Sequence, residues 1–135
     1  MNYELVTRKI KQHEGLRLTP YRDSVGKLTI GYGLNLEEGI TKNEAEYLLN
    51  RRIEYALDDA KAIFRNFENL SDARKAALVD MAYNLGRSRL MQFVKLREAV
   101  QSHLFNLAAE EMLNSKWARQ VGYRARDLAD MMRRG

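Results

Sequence analysis

The chain has 135 residues with 23 basic and 18 acidic side chains, a formal charge of +5, one proline and no cysteine. That is one domain's length with room for a real core, and 45% apolar with 30% charged residues excludes a disordered or fibrous chain. Without cysteine there is neither a disulfide framework nor a thiolate metal site, and His13 and His103 lie too far apart for metal-ligand spacing, so no cofactor is expected.

The first residues, MNYELVTRKIKQHEG, mix charged and apolar side chains and hold no run long enough for a signal-peptide core or a membrane helix. This predicts a product made in the cytoplasm and not inserted into a membrane, and nothing in the sequence requires more than a monomer. The periodic LVTRKI predicts a helix that ends at Glu14, with Gly15 at the stop position. A helix C-terminus carries partial negative charge, so a glutamate there is expected to hold its proton longer, as a general acid requires.

Next come two strand-like runs, LTPYR and KLTIGYG, joined by DSVG, where Gly26 supplies a positive-φ position. The expected hairpin carries Asp23 and Thr29. Two carboxyl groups in unlike settings, a helix end and a hairpin, suit the division of labour in glycoside cleavage, although a turn-capping aspartate is the plainer reading of Asp23.

Thr41 with Glu44 reads as a capping box opening the longest helical signal, about 42–65, with an apolar stripe from Ala45 through Leu48, Leu49, Ile53, Ala56, Leu57, Ala60 and Ile63 to Phe64. At 1.5 Å per residue it would span roughly 35 Å, so it is read as a strut between a hairpin-bearing lobe (1–41) and a helical lobe (66–135) of one domain. Ser71 is the expected N-cap of DARKAALVDMAYNLG, a helix apolar on most sides that Gly86 ends. Amphipathic segments follow at about 89–101 and 104–114, then a short one opened by Trp117 and closed by Gly122, and a last helix, YRARDLADMMRRG. The fold class is therefore α+β, mainly α: a small N-terminal lobe with a hairpin or three-stranded sheet, a long connecting helix and a helical C-terminal lobe.

Charge is uneven. Residues 1–68 hold eleven basic and eleven acidic side chains, and residues 69–135 hold twelve and seven, so the second half carries the whole excess. The basic residues lack a nucleic-acid motif or interleaved aromatics, which argues against nucleic acid and leaves two compatible readings, a solvated basic face and attraction to an anionic bacterial envelope.

The run HEGLRLTPYRDSVGKLTIGYGLN resembles the active-site segment of the phage-type lysozymes, glycoside hydrolase family 24, also called endolysins. It matches the family pattern at Glu14, Gly15, Tyr21, Asp23, Gly26, Thr29, Gly31 and Gly33. The likeness continues more loosely through ALVDMAYNLG, Phe93 and KWARQVGYRAR, and so covers nearly the whole chain.

The resemblance implies a lysozyme-like fold and a muramidase that cuts the β-1,4 bond between N-acetylmuramic acid and N-acetylglucosamine in peptidoglycan. It makes Glu14 the proton donor, Asp23 the second catalytic carboxylate and Thr29 the hydroxyl that helps hold the attacking water. It sets Arg124 against the catalytic glutamate, and lines the saccharide cleft with Tyr83 and Asn84 opposite Gly31, Gly33 and Asn35. It further implies inversion at the anomeric carbon with carboxyl groups roughly 6.5 to 9.5 Å apart, action on the cell wall in the periplasm of a Gram-negative host, and release by a holin.

Two departures from the family stand out: Leu34 replaces a frequent histidine or arginine, and the chain is shorter than the best-known member. Competing readings are a lytic transglycosylase acting on the same bond, which needs no activated water, and a non-catalytic cell-wall-binding descendant.

Overall fold

Asn2 starts the first helix by accepting a hydrogen bond from the Leu5 amide at 3.0 Å, and the chain then runs through three strands and seven further helices. The computed structural model describes residues 1–135. In order these are α1 (Tyr3–Glu14), β1 (Arg17–Arg22), β2 (Leu28–Gly31), β3 (Leu34–Asn35), α2 (Lys42–Ile63), α3 (Asp72–Leu85), α4 (Arg87–Met91), α5 (Val94–Gln101), α6 (Phe105–Leu113), α7 (Lys116–Val121) and α8 (Tyr123–Arg134). The α+β class with helix predominating is the one expected, and no helix is long and apolar enough to cross a membrane. Two compact units divide the chain within α2, Met1–Tyr47 and Leu48–Gly135.

The first unit is a helix and a three-stranded antiparallel sheet in the order β1-β2-β3. Tyr21 pairs with Thr29 and Arg22 with Leu28, and β2 continues to β3 through Thr29 opposite Asn35 and Ile30 opposite Leu34. Pro20, which has no amide hydrogen to give, sits on the edge strand β1, where the register shifts between Arg17 and Tyr21. No residue of α1 is buried.

The capping box that opens α2 is formed in both directions. Thr41 Oγ1 accepts from the Glu44 amide at 3.1 Å, and Glu44 Oε1 accepts from the Thr41 amide at 2.8 Å. The helix stops at Ile63, two residues before the expected end, and only the later part of its apolar stripe is buried: Ala56, Ala60 and Ile63. Leu48, Leu49 and Ile53 stay 48%, 43% and 40% exposed, because apolar periodicity reports which side chains share a face and not whether a partner covers it.

The second unit packs α3 at its core, with Ala77, Leu78, Met81, Ala82 and Leu85 buried and Ser71 capping the helix through the Arg74 amide. Phe64, Leu90, Leu96, Val100, Met112 and Met132 are the other large side chains that are fully buried. Burying a side chain of the size of Phe or Leu stabilises the fold by about 1.5–3 kcal/mol. The expected single segment at 89–101 is two helices, since Phe93 leaves helical geometry (φ −80°, ψ 63°) and meets Trp117 edge-to-face at 6.4 Å. Tertiary packing of one aromatic pair overrides the local helical pattern there. Arg74, in the first turn of α3, ties down the end of α8 by donating to the Met132 carbonyl at 2.7 Å and the Arg133 carbonyl at 3.2 Å, with its guanidinium 3.6 Å from the Phe105 ring centre.

Candidate active site

Glu14 is the last residue of α1, and Gly15 follows with φ +71° while its amide closes the helix on the Lys11 carbonyl at 2.9 Å. This turn directs the glutamate side chain against the β2–β3 connection. A methyl group placed on Gly33 would come within 3.1 Å of Glu14 Cγ and closer still to its carboxylate. Gly33, at φ +75°, is thus required twice, for the turn and for the space that the Glu14 side chain takes. The neighbouring Tyr32 ring carries the Lys11 ammonium 5.3 Å from its centre, a pairing that spans α1 and the hairpin and that nothing in the sequence announced.

Asp23 holds the β1–β2 turn together. Its Oδ1 accepts from the Val25 amide at 3.0 Å and the Lys27 amide at 2.8 Å, and its backbone bonds to Lys27 and Gly26. Both readings of this residue are compatible, because the hydrogen bonds of the turn fall on Oδ1 and none falls on Oδ2.

Thr29, one residue beyond Leu28 on β2, is 3% exposed and is the only residue buried in the first unit. Its hydroxyl donates to the Lys27 carbonyl at 2.8 Å, so its hydrogen is committed and its lone pairs remain to accept from water. Lys27 links the two residues, since its amide binds Asp23 and its carbonyl binds Thr29. Asn35, opposite Thr29 in the ladder, spends its Oδ1 on the Glu37 amide at 2.9 Å, and Glu37 in turn accepts from the Leu28 amide at 2.8 Å. Gly31, at φ +68°, ends β2. The first unit therefore carries Glu14 at a helix end, Asp23 and Gly33 in the two turns of the sheet, and Thr29, Gly31 and Asn35 on β2 and β3.

The other three sequence-derived residues belong to the second unit. Tyr83 is exposed on α3. Asn84 accepts the Trp117 indole hydrogen at 2.7 Å, which fixes its amide. Arg124, in the first turn of α8, binds Asp80 with Nε at 2.7 Å and Nη2 at 2.6 Å. Asp80, 44 residues earlier, is a partner that no local pattern could have supplied.

A groove of about 650 Å³ in the same unit has Phe93 and Trp117 among its lining, with Arg89, Lys95 and Lys116 against one carboxylate, Glu111. It contains none of the nine candidate site residues. The reactive groups, not the size of the concavity, locate the candidate chemistry in the first unit. No three His, Asp or Glu side chains come together in a way that could hold a metal ion.

Residues 11–134 match the family described as phage lysozyme. Two similar proteins from Dictyostelium discoideum, "Probable T4-type lysozyme 1" and "Probable T4-type lysozyme 2", are each 25% identical to this chain, with 93% of this chain and 92% of the relative aligned.

Proposed function

The chain belongs to the phage lysozyme family, a family of peptidoglycan hydrolases, and we propose that it is a muramidase cutting the β-1,4 bond between N-acetylmuramic acid and N-acetylglucosamine with inversion. The observation that carries this reading is the burial of Thr29. In a unit that buries no apolar side chain, the one covered residue is a hydroxyl with its donor spent and its acceptors free. It shares Lys27 with a carboxylate that keeps one oxygen unused.

Glu14 donates its proton to the leaving glycosidic oxygen. Asp23 and Thr29 orient a water for attack on the anomeric carbon, and the Asp23 carboxylate stabilises positive charge developing on the sugar. The water passes its proton to the Asp23 carboxylate as the new C–O bond forms and the glycosidic C–O bond breaks. Gly31 and Gly33 let the hairpin backbone approach the sugar rings, with Asn35 as a further contact in the same unit; for Tyr83, Asn84 and Arg124 of the helical unit the family resemblance is what suggests a role in holding substrate. The biological role that follows is lysis of a bacterial host, with peptidoglycan as the partner, a holin admitting the enzyme to the periplasm, and a monomer as the active form.

The test is the clearing of permeabilised Gram-negative cells by the parent and by Glu14→Gln at matched folding. General acid catalysis contributes typically about 10²–10⁴-fold, so the variant is expected to lose at least two orders of magnitude in rate. Equal clearing by both would remove Glu14 from the chemistry. Ordinary reducing ends among the products, with inverted configuration at first release, support hydrolysis, and anhydro sugars would move the reading to a transglycosylase.

A further inference from the structure

Lys11 and Glu14 stand three residues apart on α1, a spacing at which opposite charges on a helix meet. Glu14 is the one carboxylate within a turn of Lys11, and Arg8, a turn before it, repels the ammonium toward the helix end. The helix by itself therefore favours an ion pair between them. Neither residue takes part in one.

The Lys11 ammonium lies instead 5.3 Å from the centre of the Tyr32 ring. An exposed cation–π contact is stronger than an exposed ion pair at this spacing, the more so because lysine before glutamate is the weaker order on a helix. The main chain fixes both partners. The Lys11 carbonyl accepts the Gly15 amide at 2.9 Å, and Tyr32 lies between Gly31 and Gly33, whose φ of +68° and +75° set the turn. No hydrogen bond or ion pair joins α1 to the sheet, so this contact and the packing of Glu14 on Gly33 hold the helix end there.

The placement bears on chemistry, because a general acid must carry its proton and an ammonium beside a carboxylate favours the ionised form. The other charged groups around the site are engaged elsewhere or unpaired. Arg17 on β1 has its guanidinium 4.4 Å from the Tyr21 ring centre, and Asp23 and Glu37 accept backbone amides. His13, next to Glu14 in sequence, makes no ion pair, and Arg124 of the helical unit is bound to Asp80. Lys11 is the cation whose helical position brings it to Glu14, and the tyrosine ring decides where its charge rests.

We infer that Tyr32 is a positioning residue: its ring draws the Lys11 ammonium away from Glu14 and so leaves the proton on the carboxyl group that donates it. The part in catalysis rests on the reading of Glu14 as the general acid; the diversion of Lys11 rests on the geometry alone.

The test uses the full chain and four variants, Tyr32→Leu, Tyr32→Phe, Lys11→Met and the double variant Tyr32→Leu with Lys11→Met, each verified as folded by its backbone-amide spectrum. The first readout is the NMR position of the Lys11 ε-methylene protons, which the face of an aromatic ring displaces upfield. The displacement is expected in the parent and in Tyr32→Phe and is lost in Tyr32→Leu; its absence from the parent overturns the inference. The second readout is cell-clearing rate against pH. General acid catalysis fails as rising pH removes the acid's proton, so an ammonium arriving at Glu14 moves the alkaline limb to lower pH. Lys11 and Glu14 are both exposed, and the limb is expected to fall in Tyr32→Leu by about 0.3 pH unit, the scale of an exposed helical ion pair and equal to about a twofold loss of rate on the alkaline side. Tyr32→Phe is expected to keep the parent's limb, and the double variant that of Lys11→Met. A limb that stays in place in Tyr32→Leu overturns the inference, as does one that falls equally far between Lys11→Met and the double variant, since the effect would then not pass through Lys11. Clearing by Glu14→Gln is read separately. If that variant clears cells like the parent, the acid reading falls while the ε-methylene shift still decides where Lys11 lies.

Discussion

Every buried apolar side chain, from Ala56 to Met132, lies in the helical unit, whereas the sheet-bearing unit buries only Thr29. The helical unit is held by the removal of apolar surface from water, which is non-directional and scales with area. The sheet-bearing unit is held by directional bonds: the β ladder, the Asp23 turn, the Asn35 and Glu37 contacts, and the capping box of Thr41 and Glu44. Such bonds fix the positions of oxygens and hydrogens closely while adding little net stability each. A division follows: stability resides mainly in one unit and the candidate chemistry in the other.

The substitution that should separate the two most widely is Phe64→Ala. The side chain is fully buried, and its removal is expected to cost about 3–5 kcal/mol by denaturant unfolding, with activity per folded molecule unchanged. A cost under 1 kcal/mol would mean that the helical core does not carry the fold.

Gly33→Ala is expected to act the other way. Positive φ costs an L-residue about 1–2 kcal/mol, and here the new methyl also displaces the Glu14 carboxylate. Gly39→Ala is the control, since Gly39 has φ +78° with open space where a Cβ would go. Both variants should lose similar stability, but only Gly33→Ala should lose most of its cell-clearing rate. Equal rates would break the link between the hairpin turn and Glu14.

Arg74→Ala removes two bonds to the last carbonyls of α8 and the contact with Phe105, a loss of about 1–2 kcal/mol in thermal or denaturant unfolding. Its effect on cell clearing should be no larger than the change in folded fraction.

The smallest effect is a matter of pH. Glu44 has its carboxyl held below the ordinary value of 4.5, first by the Thr41 backbone hydrogen bond and then by the Thr41 side chain. A lowered folded pKa contributes stability that is complete above 4.5 and is lost as pH falls through the folded value. Stability profiles of parent and Glu44→Gln should therefore differ in slope below pH 4.5 and run parallel above it. A parallel course throughout would show that the cap is not formed in solution.

Much of the architecture could be read from local chemistry. Gly15 and Gly86 stop helices, Ser71 and the Thr41–Glu44 pair start them, and the turn at Asp23 follows from DSVG, because caps and turns are short-range rules about backbone hydrogen bonds. The break at Phe93 was not legible, since its cause is Trp117, 24 positions further along the chain. Nor was the exposure of Leu48, Leu49 and Ile53.

For the candidate site, the spacing of Glu14, Asp23 and Thr29 and the family pattern around them came from the sequence alone, which also determined the helix class, the hairpin and the absence of disulfides. Tertiary structure decided what each group touches: Gly33 beneath Glu14, Lys27 shared by Asp23 and Thr29, Asp80 on Arg124, and the Lys11 ammonium on the Tyr32 ring. The physical reason is range. Propensities, caps and turns act over a few residues and are written where they act, while burial and side-chain pairing depend on segments that only folding brings together.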